Sequence, residues 1–144
     1  PGPDGDVMHA LQDFIDFKID LEQLKSRTGK RLSFEKCKKP GVTETYASWT
    51  GVERVTVDVD HVIHALDLAI QSVVEFPRIA EWADVLILMD CFELPEGSKG
   101  SPREVIPDIL HTLAFDGQPE LSETGLRYLK SCILNGEVPD PKLF

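Results

Sequence analysis

Apolar residues recur at steps of three and four positions along most of this chain, which is typical of amphipathic α-helices. The segments that show this spacing are residues 8–17, 21–28, 62–73, 79–92, 105–114 and 126–134. In the fourth of them apolar residues extend around the whole cylinder, which indicates a central helix surrounded by others. We therefore predict a mainly α protein, a compact bundle of about five to six helices.

Several helix ends carry their own signals. Asp20 followed by Gln23 forms a capping-box pattern at the start of the second helix. Ser122 is a good N-cap for the last helix, and Gly136 is placed to close it. Pro107 should kink or restart the helix that begins near residue 101, since a proline inside a helix removes one hydrogen bond.

One region departs from the helical pattern. Residues 42–57 are rich in Thr, Tyr, Trp and Val, and Val55, Thr56 and Val57 alternate as in a strand. With a turn at Thr50 and Gly51, this pattern predicts a small β-hairpin around residues 44–57. The basic stretch before it, residues 30–40, is predicted to be an exposed connection.

The length of 144 residues suits a single domain, which we place at residues 8–136. Residues 1–7, rich in Pro, Gly and Asp, are predicted to be a disordered leader or a cloning remnant, and residues 137–144 a loose tail. The longest apolar run, residues 85–89, is too short to span a bilayer. The three cysteines, Cys37, Cys91 and Cys132, form no Cys-x-x-Cys pair, so a reducing cytoplasm fits best.

The charge is strongly negative, with 25 acidic against 15 basic residues and a net charge of -10. Such a surface repels nucleic acid and anionic membranes and attracts basic partners. Eight of the basic residues fall between Lys18 and Lys39. Seven of them, all except Lys18, could form a phosphate-binding patch with Phe34, but a solvated segment that meets an acidic partner or the chain's own acidic body is the favoured interpretation.

No motif indicates catalysis or a cofactor. His61 and His64, near Asp58, Asp60 and Asp67, could ligate a metal, yet capping aspartates and solvated histidines explain them more simply. Cys91 and His111 are a conceivable catalytic couple, although a cysteine in an apolar helix is usually a small core residue. We therefore predict no enzyme, no metal and no cofactor.

Binding to a protein partner is the remaining function, and we predict its residues from density and residue type. Four acidic residues lie around the end of the predicted central helix, and two aromatic residues lie in the irregular region, where they could be exposed interface anchors. The six candidates are Asp84, Asp90, Glu93, Glu96, Trp49 and Tyr46. Asp90 falls on the inner side of the helix, so either the helix ends before it or its carboxylate is buried with a partner.

A faint repeat with an offset of 55 residues links the first and second halves of the chain. Ile15, Ile19, Asp20, Leu21 and Leu24 align with Ile70, Val74, Glu75, Phe76 and Ile79. Both copies read as helix, tight acidic turn, next helix. Five matches between two amphipathic segments arise easily by chance, so the sequence alone does not establish two related helical hairpins.

Four segments together resemble the small, acidic, mostly helical immunity proteins that bacteria pair with toxins: residues 14–20, 81–83, 106–110 and 121–123. The resemblance covers residues 58–134 best and the first helix less closely. It implies a non-enzymatic inhibitor, more often monomeric, that binds a cognate toxin, often a nuclease, in the cytoplasm. The alternative is a cytoplasmic secretion chaperone or adaptor, which should be a stable dimer that binds an extended segment.

Overall fold

The computed structural model describes residues 3–29, 32–36, 45–114 and 121–140. Within these ranges the protein is mainly α, as predicted. Its six α-helices are α1 (Pro3–Ile15), α2 (Leu21–Thr28), α3 (Val59–Ile70), α4 (Phe76–Leu88), α5 (Ile106–Ala114) and α6 (Glu123–Asn135). A short 3-10 helix, Pro102–Val105, precedes α5.

The predicted end signals operate as local hydrogen bonds. At the start of α2 the Asp20 carboxylate accepts the Gln23 N–H at 2.8 Å, and the Gln23 side chain accepts the Asp20 N–H at 2.9 Å. Ser122 caps α6, and Gly136 ends it with a φ of +65°. Pro107 restarts the helix and stands at the second position of α5, which begins at Ile106. The N–H groups of the first helical turn have no partner within the helix, so the N–H that proline lacks costs no hydrogen bond there.

The strands correct the predicted hairpin. Strand β2 (Thr45–Trp49) pairs antiparallel with β1 (Leu32–Lys36), which lies inside the stretch predicted to be an exposed connection. Strand β3 (Val55–Thr56) pairs parallel with β4 (Phe92–Glu93). The two halves of the predicted hairpin therefore have other partners, since alternation of side chains indicates a strand but carries no information about its neighbour.

Helix α4 lies at the centre of the described structure and packs against α3, α5 and β2. Its inner face buries Ile79, Trp82, Ala83, Val85 and Leu86. The indole N–H of Trp82 donates to the Ile15 carbonyl at 3.2 Å, which joins α4 to the end of α1. The predicted central helix is thus confirmed in position and in its buried face.

The structure orders both ends of the predicted domain further than expected. Helix α1 begins at Pro3 and buries Val7, so residues 3–7 of the predicted leader are helical. After α6 the Asp140 N–H donates to the Tyr128 hydroxyl at 2.8 Å, which holds the first half of the predicted loose tail against α6. Residues 141–144 lie outside the described ranges. None of the described helices is long and apolar enough to cross a membrane.

Candidate partner-binding surface

The predicted acidic residues Asp90, Glu93 and Glu96 lie in one segment, residues 90–96, which we call the acidic segment. Helix α4 ends at Leu88, and Met89 already has an extended backbone. Asp90 is therefore beyond the helix and exposed. Of the two alternatives for Asp90, the helix ending before it is the one observed.

Two features hold the backbone of the acidic segment in place. The Val55 N–H donates to the Cys91 carbonyl and the Val57 N–H donates to the Glu93 carbonyl, both at 2.8 Å. Cys91 and Phe92 are buried, and the Phe92 ring lies 6.1 Å from the ring of Phe14 between centroids. Because the backbone is hydrogen-bonded at Cys91 and Glu93 and the side chains of Cys91 and Phe92 are buried, Asp90 and Glu93 are presented to solvent from a fixed frame.

The side chains of Asp90, Glu93 and Glu96 are exposed. The structure assigns none of the three an ion pair within the described residues. Asp84 differs, because it is half-buried on α4 and already interacts within the molecule. The acidic segment thus keeps three of the four predicted carboxylates available to a partner.

Trp49 is a half-buried residue at the end of β2 rather than a fully exposed anchor. Gly51 lies directly on its indole ring: a Cβ at position 51 would meet the ring carbons Cζ2 and Cε2 at 2.8 and 2.9 Å. The indole N–H of Trp49 is buried and has no acceptor in the described structure. Tyr46 lies on the same strand, in register with Glu35, and its side chain is outside the described part.

The loop after Trp49 contributes an apolar side chain that sequence reasoning missed. Val52 is 86% exposed. The neighbouring Arg54 is turned back onto its own loop, where its guanidinium donates to the Gly51 carbonyl at 3.3 Å and the Glu53 carbonyl at 2.9 Å. The loop leads directly into β3, so the ladder with β4 brings it next to the acidic segment. A lone valine between polar residues gives no sequence signal of this placement.

Cys91 is a core residue at this surface. Burial raises the pKa of its thiol to about 12, so the thiol stays protonated at neutral pH and is a poor nucleophile. Glu53, Arg54 and Asp90 all lie close enough to influence it electrostatically. This chemistry suits a packing role for the cysteine.

Two members of the histidine and aspartate cluster, Asp58 and His61, cap α3. His61 Nδ1 accepts the Asp58 N–H at 2.9 Å, and Arg103 donates to both Asp58 carboxylate oxygens at 3.1 and 2.8 Å. The Arg103 hydrogen bond, followed by that of the Val59 N–H, holds the pKa of Asp58 below its usual range. Within the described ranges, the structure contains no group of three or more His, Cys, Asp or Glu residues that could hold a metal.

Two basic residues of the predicted patch, Arg27 and Lys25, pair with acidic residues of the same molecule. Arg27 donates to Asp13 at 2.8 Å, and this hydrogen bond lowers the pKa of Asp13. Lys25 lies 3.3 Å from Glu22. Residues 30, 31 and 37–44 are outside the described part, so the remainder of the predicted basic patch stays a prediction.

Comparisons with known protein families, with curated proteins and with solved structures find no match for this chain.

Proposed function

We propose that this chain is a non-enzymatic immunity protein, a monomer that binds and neutralises a basic toxin domain in the bacterial cytoplasm. The observation that supports this best is the acidic segment, which exposes three carboxylates and is anchored at Cys91 and Glu93 by hydrogen bonds from Val55 and Val57. A rigid frame reduces the conformational entropy lost on binding, which is the usual advantage of a pre-organised interface.

The charge of the chain favours the same kind of partner. A net charge of -10 speeds the encounter with a cationic domain, and nucleases are commonly cationic because they bind phosphate backbones. Screening limits the attraction to about 8 Å at physiological salt, so the residues that contact the partner must supply the stability of the complex. Val52 supplies an exposed apolar side chain and the acidic segment supplies charges, which is the combination of apolar and polar contacts that protein interfaces use.

A growth-protection assay tests the proposal. The protein encoded beside this gene is expressed under a tight promoter in bacterial cells, with and without this chain, and its binding is measured with purified proteins by calorimetry. We expect protection from growth arrest by the unaltered chain. The triple variant Asp90→Lys, Glu93→Lys, Glu96→Lys should lose protection and bind at least about a hundredfold more weakly, since it reverses every charge of the acidic segment.

The matched control is the triple variant Asp6→Lys, Glu81→Lys, Glu137→Lys, which makes the same change in net charge on other elements of the fold. These three side chains are also exposed. Equal losses by both variants would show that only overall charge matters and would contradict a role for the acidic segment. Light scattering supplies the second check, because an obligate dimer that binds an extended polypeptide would be a secretion chaperone instead.

A further inference from the structure

Helix α3 begins with a capping box in which the third helical position is a histidine. The Asp58 carboxylate accepts the Val59 N–H at 2.7 Å, and the Asp58 N–H donates to Nδ1 of His61 at 2.9 Å. An imidazole nitrogen accepts a hydrogen bond only while it carries no proton. This half of the cap therefore depends on the neutral form of His61, in the tautomer that has its proton on Nε2.

The capping box of α2 has the same arrangement without a titratable acceptor. There the side-chain oxygen of Gln23 accepts the Asp20 N–H at 2.9 Å. An amide oxygen keeps its capacity to accept as the pH changes, whereas histidine is the side chain that ordinarily changes charge between about pH 5 and 8. Of these two capping boxes, that of α3 is the one a proton can open.

Charged groups from three elements lie around the His61 ring. Asp16, directly after α1, places its Oδ1 4.0 Å from His61 Nε2. Asp58 lies at the start of α3, and Arg103 of the 3-10 helix donates to both oxygens of its carboxylate. On α3 itself the neighbouring titratable side chains are exposed: Asp60 and His64. Carboxylates from two elements thus lie within electrostatic reach of the ring.

The two carboxylates differ in their capacity to accept a new hydrogen bond. Asp58 Oδ1 already accepts the Val59 N–H and the Arg103 Nε–H, and Oδ2 accepts from a second nitrogen of Arg103. The Arg103 hydrogen bond also holds the pKa of Asp58 below its usual range, so this carboxylate stays charged while a histidine titrates. Asp16 faces Nε2, which carries a proton in both charge states, so a positive ring strengthens this attraction. A proton added at Nδ1 therefore breaks the cap contact and favours the contact with Asp16.

The ends of the two helices act in the same direction. His61 is the third residue of α3, and the amino-terminal end of a helix disfavours a positive charge. Asp16 follows the carboxyl-terminal end of α1, where a positive charge is favoured. Both helix dipoles therefore favour movement of a protonated ring from the cap of α3 toward the end of α1.

We propose that His61 is a pH-sensitive switch between two contacts. In its neutral form it closes the cap of α3 through the Asp58 N–H. After protonation it releases that N–H, and its ring turns toward Asp16 and ties α3 to the end of α1. The released N–H belongs to the residue directly after Val57, which anchors Glu93 of the acidic segment. The switch goes beyond the proposed function, because it acts within the chain and its test needs no partner.

NMR spectroscopy of the intact chain tests the switch. The protonation state of each His61 ring nitrogen and the hydrogen exchange of the Asp58 amide are measured at about pH 8 and about pH 5, on either side of the usual histidine range. At the higher pH we expect the Nε2-protonated tautomer. At the lower pH we expect both nitrogens to be protonated and the protection factor of the Asp58 amide to fall at least about fivefold, the size of effect that loss of a cap contact produces.

Two variants separate the halves of the switch. His61→Gln supplies the acceptor that Gln23 supplies in α2, and this acceptor does not titrate, so the Asp58 amide should keep its protection factor at both pH values. Asp16→Asn removes the charge that attracts the protonated ring, so the Asp58 amide should lose its protection only at a lower pH than in the unaltered chain. Urea midpoints at both pH values verify that each variant is folded.

His9→Gln is the matched control. His9 Nε2 also lies 4.0 Å from an aspartate, Asp13, but His9 is within α1 and takes no part in a cap, so its replacement should leave the pH response of the Asp58 amide unaltered.

Four results would overturn the proposal. They are an Nδ1-protonated tautomer of His61 at about pH 8, equal protection of the Asp58 amide at both pH values in the unaltered chain, an undiminished pH response in His61→Gln, or an unshifted response in Asp16→Asn. Failure of the unaltered chain to protect cells, with these NMR results as expected, would count against the proposed function alone.

Discussion

Phe17, in the turn between α1 and α2, provides the sharpest quantitative test of how helix α4 docks on that turn. Replacing Phe17 by serine gives this first turn the residue that the second turn, between α3 and α4, has at Ser72. Both positions have a positive φ, so the backbone strain, about 1–2 kcal/mol in this region, is little altered by the change. What the substitution removes is the packing of the ring on Trp82 and beneath Arg78.

The contacts of the ring set the magnitude. The Phe17–Trp82 ring pair contributes about 0.5–1.5 kcal/mol and the Arg78 cation over the ring about 0.5–1 kcal/mol. The half-buried side chain adds about 1 kcal/mol of apolar burial. We expect Phe17→Ser to lower the free energy of unfolding by about 3 kcal/mol. At a typical urea slope of about 2 kcal/mol/M, the midpoint falls by about 1.5 M.

Urea denaturation followed by circular dichroism measures this loss, with Ser72→Phe as the reciprocal variant. Among the described residues, the second turn has no tryptophan and arginine pair of the kind that Trp82 and Arg78 form at the first. A ring added at position 72 should therefore alter the free energy of unfolding by less than about 1 kcal/mol. A loss below about 0.5 kcal/mol for Phe17→Ser, or equal shifts for the two variants, would refute the reasoning.

Three further predictions concern charge, burial and a close contact. Because the Arg103 hydrogen bond lowers the pKa of Asp58, the pair stabilises the fold above the unfolded pKa of about 3.9 and loses this effect as pH falls through the lower folded value. In the Arg103→Met variant the free energy of unfolding in urea should fall less steeply as the pH is lowered, and it should be less than about 1 kcal/mol smaller at pH 7. An unchanged decrease at low pH would show that the Asp58–Arg103 pair does not stabilise the fold. The Cys91 thiol, with its pKa raised to about 12, should resist thiol reagents in the folded protein, as peptide mass spectrometry would show. The contribution of the buried neutral thiol to stability is complete below the unfolded pKa of about 8.5 and is lost as the pH rises toward 12. Rapid labelling of Cys91 in the native protein at about pH 8 would be inconsistent with its burial. Gly136→Ala should cost about 2–4 kcal/mol, since a Cβ there would lie 2.7 Å from the Gly100 carbonyl carbon and φ is +65°. Gly100→Ala, with open space around it, should cost only about 1 kcal/mol, and equal melting shifts would argue against the contact.

The candidate surface was partly predictable. The acidic segment was found from the density of carboxylates alone, yet the sequence could not show that Asp84 is engaged within the molecule or that Val52 is exposed. Those outcomes depend on which residues from distant parts of the chain lie nearby.

The helices and their ends were determined by the sequence itself. Spacing of apolar residues acts within one turn of helix, and caps such as Asp20, Ser122 and Gly136 act on neighbouring backbone groups, so both are written in local sequence. The predicted positions of α3, α4 and α6 follow from these signals without reference to the rest of the molecule.

Only the tertiary structure decided how the strands pair and which surface is presented. Strand β3 pairs with β4, which lies more than thirty positions further along the chain, and this pairing fixes the direction of Asp90 and Glu93. Helix α4 docks on the turn between α1 and α2, a contact between segments that share no local signal. Alternation and periodicity specify which face of an element is apolar, whereas the choice among apolar partners is made by packing of the whole chain.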